Sequence, residues 1–476
     1  MKQKSTLSKG DNLLHNENYL LRANSYKKVY IRTFGCQMNV SDSEFFANIL
    51  TTQYNCELTD DISNADIAIF NTCTVRQHAE DRALSIIGRL KRWKEESNGR
   101  LLVVCGCAVE RLKDTLKARF PFIDVLISSK DVLQFGEIIA KYLPIGQDRS
   151  KFIKNYPIIR NLGDKEKLQV TAFVPIMRGC NNFCSYCIVP YVRGEEYSIP
   201  PKEIFNEISY LVANGIREVT LIGQNVNSYR WKLENNTVHC CNNKEFVDFA
   251  GLLEEINKID GLKRIRFLTN HPKDMNDRII SAVGNLEKVC KHIHLPLQSG
   301  SSRILQLMNR KYTKEEYLRL VDKIYSKIPN VSITTDIIVG FPTETEKDFK
   351  ETLEVVSQVG FDNAFCFKYS VREMTAAAKN FVDDVPRKVK EERLAELLNL
   401  VNEIAYKKNK ARIGKVEEIL IEKISTTSNT TELIGRIDNN ITTKVRVNEN
   451  IYHLGDIVKV KIIDATTHTL FGKTVQ

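Results

Sequence analysis

Between residues 27 and 144, short apolar runs alternate with segments in which apolar residues recur every three or four positions. The first pattern predicts buried strands, and the second predicts amphipathic helices. Strands that alternate with helices indicate an α/β domain with an open parallel sheet. The predicted strands are Val29 to Phe34, Asp66 to Thr72, Leu101 to Gly106 and Asp124 to Ser128, and the predicted helices are 41 to 54, 77 to 95, 108 to 119 and 131 to 142.

Residues 145 to 168 interrupt this pattern with Gly, Pro, Asn and mixed charge, which predicts a linker. A second alternation of strands and helices occupies residues 169 to 411. Its six repeats are too few for a closed eight-fold barrel, so a partial (β/α)6 barrel is predicted. The predicted strands are 171 to 177, 217 to 223, 263 to 269, 291 to 297, 331 to 339 and 363 to 370, and the predicted helices are 200 to 214, 246 to 259, 274 to 287, 301 to 327 and 345 to 358.

The last part of the chain, residues 412 to 476, follows a charged helix predicted from Pro386 to about Arg412. Short strands broken by Gly and Asn predict a small five-stranded all-β barrel, of a kind that often binds oligonucleotides. At the other end, residues 1 to 26 are polar and are predicted to form a mobile extension. The strands identified for the barrel are Val416 to Ile424, Thr431 to Ile437, Thr442 to Val447 and Asp456 to Ile463.

The length of 476 residues predicts several domains. Residues 1 to 26 hold no sustained apolar stretch, which argues against a signal peptide, and no run of about 18 apolar residues predicts a membrane span. The 12 cysteines are therefore expected to stay reduced, in a cytoplasmic protein that does not use a membrane.

Lys and Arg exceed Asp and Glu by 69 minus 59, a formal charge of +10, which permits a nucleic-acid partner without requiring one. Basic residues crowd two predicted helix ends. Each cluster alone is explained equally well as a solvated helix end that favours the C-terminal dipole. Beside the predicted barrel, however, the second cluster favours contact with RNA. The clusters are Arg89, Lys91, Arg92 and Lys94, and Lys407, Lys408, Lys410, Arg412 and Lys415.

Cys180, Cys184 and Cys187 follow the first strand of the second region with C-x3-C-x2-C spacing. Structural zinc sites are normally closed by four protein ligands, whereas a [4Fe-4S] cluster held by three cysteines keeps one iron open for chemistry. The spacing therefore predicts a cluster with an open iron. The alternatives are a zinc knuckle whose fourth ligand lies elsewhere and a loop that contains cysteines by chance.

Cys36, Cys73 and Cys107 each follow one of the first three predicted strands. Because open α/β sheets bind ligands at the carboxyl ends of their strands, these cysteines are expected to converge and to hold a second iron-sulfur cluster. Each of them could separately be a small buried hydrophobe. Cys105 is predicted to lie in the core, and no ligand role is assigned to the remaining cysteines, Cys56, Cys240, Cys241, Cys290 and Cys366.

Polar and glycine residues mark the carboxyl ends of the strands in the predicted partial barrel. In such barrels this rim forms the active site. His271 is interpreted as lining the rim, and a purely structural histidine before a proline turn stays an open alternative. The rim segments are Gly223-Gln224-Asn225, Thr269-Asn270-His271-Pro272, Gln298-Ser299-Gly300 and Gly340-Phe341-Pro342.

The order of these three regions resembles that of the methylthiotransferases of the radical S-adenosylmethionine (SAM) superfamily. Several motifs are similar to those of the MiaB-type branch, which acts on tRNA. The chain departs from the family pattern in two places. Asn270 stands where serine is common, and the stretch Arg372-Glu373-Met374-Thr375-Ala376 stands where the family commonly has Arg-Pro-Gly-Thr-Pro. The matching motifs are Gly35-Cys36-Gln37-Met38-Asn39, Asn71-Thr72-Cys73, Ile188 to Glu196, Gly223 to Asn227 and His294 to Ser301.

The resemblance implies that a methylthio group is added to carbon 2 of N6-dimethylallyladenosine at position 37 of tRNA. It implies two [4Fe-4S] clusters and two SAM molecules. The cluster of Cys180, Cys184 and Cys187 would generate the radical, and that of Cys36, Cys73 and Cys107 would hold the sulfur. The implied partners are the anticodon loop and a reductant such as flavodoxin or ferredoxin, and the protein is expected to be a monomer. The residues expected to bind SAM are Tyr186, Gly223, Gln224, Asn225, Gln298 and Ser299.

Three other functions stay open from the sequence. One sister branch modifies threonylcarbamoyl-adenosine at the same tRNA position, and another thiomethylates an aspartate of a ribosomal protein. Both typically differ from this chain in the loop around Cys36. The alternative from a different class is a non-catalytic, zinc-containing RNA-binding protein.

Overall fold

The computed structural model describes residues 27–75, 77–143, 169–233, 246–426, 430–448 and 451–475. The predicted extension at 1–26, the predicted linker at 145–168, and Cys240 and Cys241 lie outside the described residues. The chain divides into two compact units, Met1–Asn161 and Leu162–Gln476. Within the described ranges, no helix is long and apolar enough to cross a membrane.

The first unit is an open parallel sheet in the order β2-β1-β3-β4-β5, as predicted. Alternate residues of β3 enter two separate cores: Ile67 and Ile69 pack under α1 and α4, and Ala68 and Phe70 pack under α2 and α3. The elements are β1 (Lys28–Thr33), α1 (Gln37–Gln53), β2 (Glu57–Leu58), β3 (Ile67–Thr72), α2 (Gln77–Glu95), β4 (Leu101–Gly106), α3 (Cys107–Arg119), β5 (Val125–Ser128) and α4 (Phe135–Ile139).

Two helices of this unit differ from their predicted bounds. Helix α1 begins directly after Cys36, four residues before its predicted start. The prediction missed this first turn because the turn is polar, although Asn39 in it is buried, and so it shows no apolar period. The predicted helix 131 to 142 is a 3-10 turn, Val132–Gln134, followed by the short α4.

The second unit begins with two three-stranded parallel sheets in the orders β6-β9-β12 and β13-β14-β15. A single parallel bridge, Ile265 to Val289, joins them, which gives the predicted partial barrel. Two short antiparallel pairs, β7-β8 and β10-β11, flank it. The strands are β6 (Thr171–Pro175), β7 (Met177–Arg178), β8 (Tyr197–Ser198), β9 (Glu218–Ile222), β10 (Arg230–Lys232), β11 (Phe246–Asp248), β12 (Arg264–Phe267), β13 (His292–His294), β14 (Ser332–Val339) and β15 (Asn363–Lys368).

The predicted single helix 301 to 327 is two helices. The backbones of Asn309 and Lys311 have φ angles of 58° and 54°, which no α-helix can contain, and Thr313 then starts α10 with a capping box. The helices of the second unit are α5 (Val189–Arg193), α6 (Pro201–Ala213), α7 (Phe249–Ile256), α8 (Asp277–Asn285), α9 (Ser302–Leu307), α10 (Lys314–Lys327), α11 (Glu346–Val359), α12 (Ala376–Asn380) and α13 (Arg387–Lys410).

The chain ends in a closed five-stranded barrel of order β16-β17-β18-β20-β19, which confirms the predicted architecture. The fifth strand, which was not among the four located from the sequence, pairs in parallel with β18. Alternate residues such as Leu433, Val445 and Val460 fill its interior. The strands are β16 (Val416–Thr426), β17 (Thr431–Ile437), β18 (Thr442–Val447), β19 (Ile457–Ala465) and β20 (Thr469–Thr474).

Buried arginines fix this small barrel to the amino ends of β9 and β12. Arg264 donates to the carbonyl oxygens of Arg436 at 2.6 Å and Glu418 at 2.8 Å. Glu218 is fully buried, and its two carboxylate oxygens lie 2.9 Å from Arg266 Nε and 2.6 Å from Arg436 Nη2. Because breaking a buried ion pair leaves an uncompensated charge, this network holds the small barrel in one orientation.

Candidate active site

The loop that carries Cys180, Cys184 and Cys187 is held from two sides. Gly179 has φ +74°, and a Cβ at this position would lie 1.9 Å from the carbonyl oxygen of Glu195, so only glycine allows the close approach. On the other side, Ser185 donates through its backbone to Met308 O at 2.9 Å and through its hydroxyl to Leu307 O at 2.7 Å. The end of α9 therefore supports the middle of the cysteine loop.

The three thiols of this loop influence one another. Burial, and then the neighbouring Cys184, raise the pKa of the Cys187 thiol to about 12, with a further contribution from Cys180. Without metal the Cys187 thiol therefore resists ionisation, and metal binding at this thiol must release its proton. Cys180 and Cys184 are each 8% exposed, so a group bound here is largely shielded from water.

A buried arginine contacts this loop. Arg310 is 4% exposed, and its Nη1 donates to Cys184 Sγ at 3.2 Å. Its other donors bind Pro296 O at 3.1 Å and the Tyr312 hydroxyl at 3.0 Å. Sequence analysis did not identify this residue, because a single arginine carries no ligand spacing.

Four buried polar atoms at the ends of β9 and β12 have no hydrogen-bond partner in the described part of the chain. They are Gln224 Oε1, Asn225 Oδ1, Asn270 Oδ1 and His271 Nε2. Buried polar groups are nearly always hydrogen-bonded, so this group of atoms indicates a polar ligand at the rim.

The protonation of His271 follows from its contacts. Its Nδ1 accepts a hydrogen bond from the backbone N–H of Lys273 at 3.2 Å, so the proton of the neutral ring is on Nε2. Burial, then the charges of Arg310 and Lys273, lower the pKa of His271 to about 2. His271 thus presents a neutral, unpaired N–H donor beside Arg310, which supports rim lining over a satisfied structural role.

Strained backbone conformations occur where strands reach the rim. Thr269, Gln298 and Thr343 have φ angles of 65°, 69° and 66°. Non-glycine residues with such angles cluster at functional sites, where surrounding contacts hold the strain. They follow β12, β13 and β14, the strands whose carboxyl ends were expected to form the site.

The other predicted SAM-binding residues have varied surroundings. Ser299 Oγ accepts from the backbone of Ser301 at 3.2 Å and lies 3.5 Å from Thr352 Oγ1, which favours a structural role for this hydroxyl. Tyr186 packs against the apolar cluster around Phe341. Gly223 approaches Met177 so closely that a Cβ would lie 2.4 Å from its Cγ.

In the first unit, the segments that carry Cys36, Cys73 and Cys107 come from the adjacent strands β1, β3 and β4. A Cβ on Gly35 would lie 2.8 Å from Cys73 Sγ, and a Cβ on Gly106 would lie 2.3 Å from Thr72 O. The two glycines thus bring the neighbours of Cys36 and Cys107 against the segment of Cys73.

A pair of buried amides locks these segments together. Asn39 donates to Asn71 Oδ1 at 2.8 Å and to Thr72 O at 3.0 Å, and Asn71 donates back to Asn39 O at 2.9 Å. Cys36 is the N-cap residue of α1 and Cys107 is the first residue of α3, so both cysteines lie at helix N-termini. Cys105 is fully buried in the apolar core, as predicted.

Within the described ranges, no three His, Cys, Asp or Glu side chains are arranged to bind a single metal ion. A [4Fe-4S] cluster bonds each cysteine to a different iron, so its cysteines do not need to meet at one ion.

Carboxylates neutralise most of the two predicted basic clusters. Lys408 lies 2.7 Å from Asp362, and Lys410 lies 2.7 Å from Asp464. These contacts favour the interpretation as stabilised helix ends. The other pairs are Lys407 with Glu403, Arg412 with Glu417, Lys91 with Glu95, Arg92 with Glu96 and Lys94 with Asp124.

Comparison with known proteins identifies all three regions. Residues 174–356 match the radical SAM superfamily, residues 28–128 match the uncharacterized protein family UPF0004, and residues 410–475 match the TRAM domain. The chain is 46% identical over 469 residues to the tRNA-2-methylthio-N(6)-dimethylallyladenosine synthase of Caldicellulosiruptor saccharolyticus, which covers 97% of this chain and 95% of that protein. This chain belongs to the tRNA-2-methylthio-N(6)-dimethylallyladenosine synthase family.

A second member of the family, from Clostridium botulinum (strain Loch Maree, type A3), is 44% identical over 467 residues, which covers 95% of this chain and 98% of that protein. Membership confirms the MiaB-type resemblance stated from the sequence. Two solved structures of the radical SAM methyltransferase TsrM from Kitasatospora setae have TM-scores of 0.51 and 0.53. They are 13% and 15% identical and cover 74% of this chain and 77% and 75% of their own, so they show the fold alone.

Radical SAM proteins bind SAM and a [4Fe-4S] cluster, and the residues present fit both groups. Cys180, Cys184 and Cys187 are free cysteines that would supply three thiolates to a [4Fe-4S] cluster and leave one iron open. Arg310 carries a positive charge, and its guanidinium donates a hydrogen bond to one of these sulfurs, Cys184 Sγ. The unpartnered atoms of the rim, among them Asn225 Oδ1, supply hydrogen-bonding groups for a polar ligand.

Proposed function

We propose that this chain is a methylthiotransferase, a tRNA-2-methylthio-N6-dimethylallyladenosine synthase. It adds a methylthio group to carbon 2 of N6-dimethylallyladenosine at position 37 of tRNA. The observation that carries this proposal is the 46% identity to a protein of that name over 97% of the chain. The cysteine loop beside a rim of unpartnered polar atoms supports the same chemistry.

Two [4Fe-4S] clusters and two SAM molecules belong to the proposal. Cys180, Cys184 and Cys187 hold the first cluster, and Cys36, Cys73 and Cys107 hold the second, with its sulfur. When bound, these groups supply the one-electron chemistry that an unactivated aromatic C–H bond requires, together with the sulfur and the methyl group. We assign the second cluster to a domain at residues 27–144, the first cluster and SAM to a domain at 169–411, and RNA binding to a domain at 412–476. Residues 1–26 and 145–168 are assigned as an extension and a linker.

The chain's own residues would bind and orient the ligand at the rim and shield it from water. Arg310 balances negative charge at Cys184, and His271 donates its Nε2 proton in a hydrogen bond to a ligand at the rim. Gln224, Asn225 and Asn270 offer hydrogen-bond acceptors beside it. The adenine must leave its stack to reach this rim. Unstacking a base from a duplex costs a few kcal/mol, and the cost is smaller in an anticodon loop, whose bases are already single-stranded.

We assign contact with the tRNA backbone to an outer face of the small barrel, called here the lysine face: Lys459, Lys461 and Lys473. Lys461 and Lys473 lie directly opposite each other on β19 and β20, and both are exposed. Like charges at such positions destabilise a sheet, and in the described part of the chain no ion pair joins a carboxylate to Lys461 or Lys473. An RNA phosphate backbone would supply the missing negative charge.

The remaining parts of the proposal concern partners and location. The electron comes from a reductant protein such as flavodoxin or ferredoxin. The enzyme acts as a monomer on the anticodon loop. Because tRNA is the substrate, we place the enzyme in the cytoplasm.

Mass spectrometry of tRNA nucleosides from a deletion strain tests the substrate. We expect loss of 2-methylthio-N6-dimethylallyladenosine and accumulation of N6-dimethylallyladenosine, restored by the wild-type gene. Loss of the methylthio derivative of threonylcarbamoyl-adenosine, or of a thiomethylated ribosomal aspartate, would assign a sister activity instead. Zinc without iron or acid-labile sulfide in anaerobically prepared protein would contradict the enzyme altogether.

A further inference from the structure

Arg310 is placed in the interior by an unusual stretch of backbone. It lies between α9 and α10, flanked by Asn309 and Lys311, whose φ angles are 58° and 54°. The backbone N–H of Arg310 donates to Leu305 O at 2.9 Å, which fixes the turn. Two left-handed residues around one arginine direct its side chain inward, where it is 4% exposed.

The charge of Arg310 lacks the carboxylate partner that the buried Arg266 and Arg393 have. Arg266 lies 2.9 Å from Glu218, and Arg393 lies 2.8 Å from Glu344. In the described part of the chain, no carboxylate lies within ion-pair distance of Arg310. Its polar contacts are Cys184 Sγ, the Tyr312 hydroxyl and the Pro296 carbonyl oxygen. An uncompensated buried charge is strongly destabilising, so we expect a negative group beside Arg310.

We propose that Arg310 is the counter-charge of the cluster held by Cys180, Cys184 and Cys187 and that it raises the reduction potential of this cluster. The inference rests on the proposed function, because that function supplies the cluster. Arg310 acts through the Cys184 sulfur and is a positioning residue.

The direction of the effect follows from electrostatics. Reduction adds one electron from the low-potential reductant, so the reduced cluster carries one more negative charge than the oxidised one. A fixed cation therefore stabilises the reduced state more. A hydrogen bond to a ligand sulfur acts in the same direction, because net charge and hydrogen bonds to sulfur set the potentials of such clusters. Arg310 would make electron transfer from a flavodoxin or ferredoxin easier.

Three substitutions separate charge from hydrogen bonding. Arg310→Lys keeps the charge, Arg310→Gln keeps a donor without the charge, and Arg310→Met keeps neither. Arg319→Gln is the matched control, because it removes one exposed positive charge from the neighbouring α10. All are made in full-length protein that also carries Cys36→Ala, Cys73→Ala and Cys107→Ala, so that one cluster is observed.

The measurement is a redox titration of anaerobically reconstituted protein, followed by electron paramagnetic resonance and absorbance, after iron and sulfide analysis. We expect the ratio of reduced to oxidised cluster at a fixed potential to fall at least about tenfold in Arg310→Met. The ratio in Arg310→Gln should lie between those of Arg310→Met and wild type. Arg310→Lys and Arg319→Gln should titrate near wild type.

Iron analysis separates the two levels of inference. If the parent protein binds no cluster, the proposed function fails, and the role of Arg310, which depends on that cluster, fails with it. If Arg310→Met binds the cluster and titrates like wild type, or if Arg319→Gln shifts as much, the role of Arg310 is wrong. Cluster loss in the Gln and Met variants but not in Lys supports the counter-charge, whereas loss in all three shows a geometric role and overturns it.

Discussion

Gly35 and Cys73 are in direct contact: a Cβ built on Gly35 would lie 2.3 Å from Cys73 Cβ and 2.8 Å from its Sγ. The contact joins the ends of two neighbouring strands, β1 and β3, and Gly35 directly precedes Cys36 in the sequence. Real Cβ atoms do not approach other atoms so closely, so any side chain at position 35 must displace the thiol of Cys73.

We therefore expect Gly35→Ala to lose the cluster of the first unit. Iron and sulfide should fall from two clusters per chain to one, while the cluster of the radical SAM domain stays. Gly99→Ala is the control, because Gly99 has a similar φ of +102°, against +112° for Gly35, but nothing within 4 Å of its Cβ position. Full iron content in Gly35→Ala would show that Cys73 is not a ligand in its present position.

Removing the His271 proton donor should weaken SAM binding about tenfold, the cost of one unsatisfied buried hydrogen bond. In His271→Asn, the amide oxygen can still accept from Lys273, so the turn that follows keeps its cap. Equilibrium binding of SAM to reconstituted protein measures the effect, with the exposed His468→Asn as control. An unchanged dissociation constant would return His271 to a structural role.

The same histidine predicts a pH dependence of stability. Its pKa is lowered to about 2 in the folded chain, so only the unfolded chain binds its proton between that value and about 6.5. The stability contributed by the neutral ring is thus complete above about pH 6.5 and is lost as the pH falls, by about 1.4 kcal/mol per pH unit. Urea unfolding at about pH 7 and 5.5 should show a smaller loss in His271→Asn than in wild type. Equal losses would contradict a buried neutral ring.

The positions of the candidate site residues could be predicted where neighbouring residues in the sequence form a recognisable pattern. A cysteine after an apolar run, as at Cys36, Cys73 and Cys107, lies at the end of a strand, and the sequence placed all three correctly. Arg310 was missed because its partner, Cys184, is 126 residues away. Likewise, the cluster at Lys407 to Lys415 suggested an RNA contact because Asp464, which pairs with Lys410, is 54 residues away in sequence.

Replacing Lys461 and Lys473 by Gln should weaken tRNA binding several-fold at physiological salt. The slope of log affinity against log salt should fall by about 1 to 2, since each phosphate contact contributes close to one counterion. Lys407→Gln with Lys91→Gln is the control: it removes the same charge from lysines paired with Glu403 and Glu95. Equal effects of the two double variants would show that only net charge matters and that the lysine face is not a binding site.

Met374 occupies a backbone conformation that suits glycine, the residue common at this position in the family. Its φ is +76°, it is 38% exposed, and it precedes Thr375, the cap of α12. A left-handed conformation costs a side chain about 1 to 2 kcal/mol, whereas glycine loses about 0.5 to 1 kcal/mol more backbone entropy on folding. Relief of strain is the larger effect, so Met374→Gly should raise the free energy of unfolding by about 0.5 to 1 kcal/mol. Met374→Ala keeps the Cβ and should give no gain. Thermal or urea unfolding of both variants decides, and an equal gain in the two would show that the methionine side chain, rather than the backbone angle, is the source of the cost.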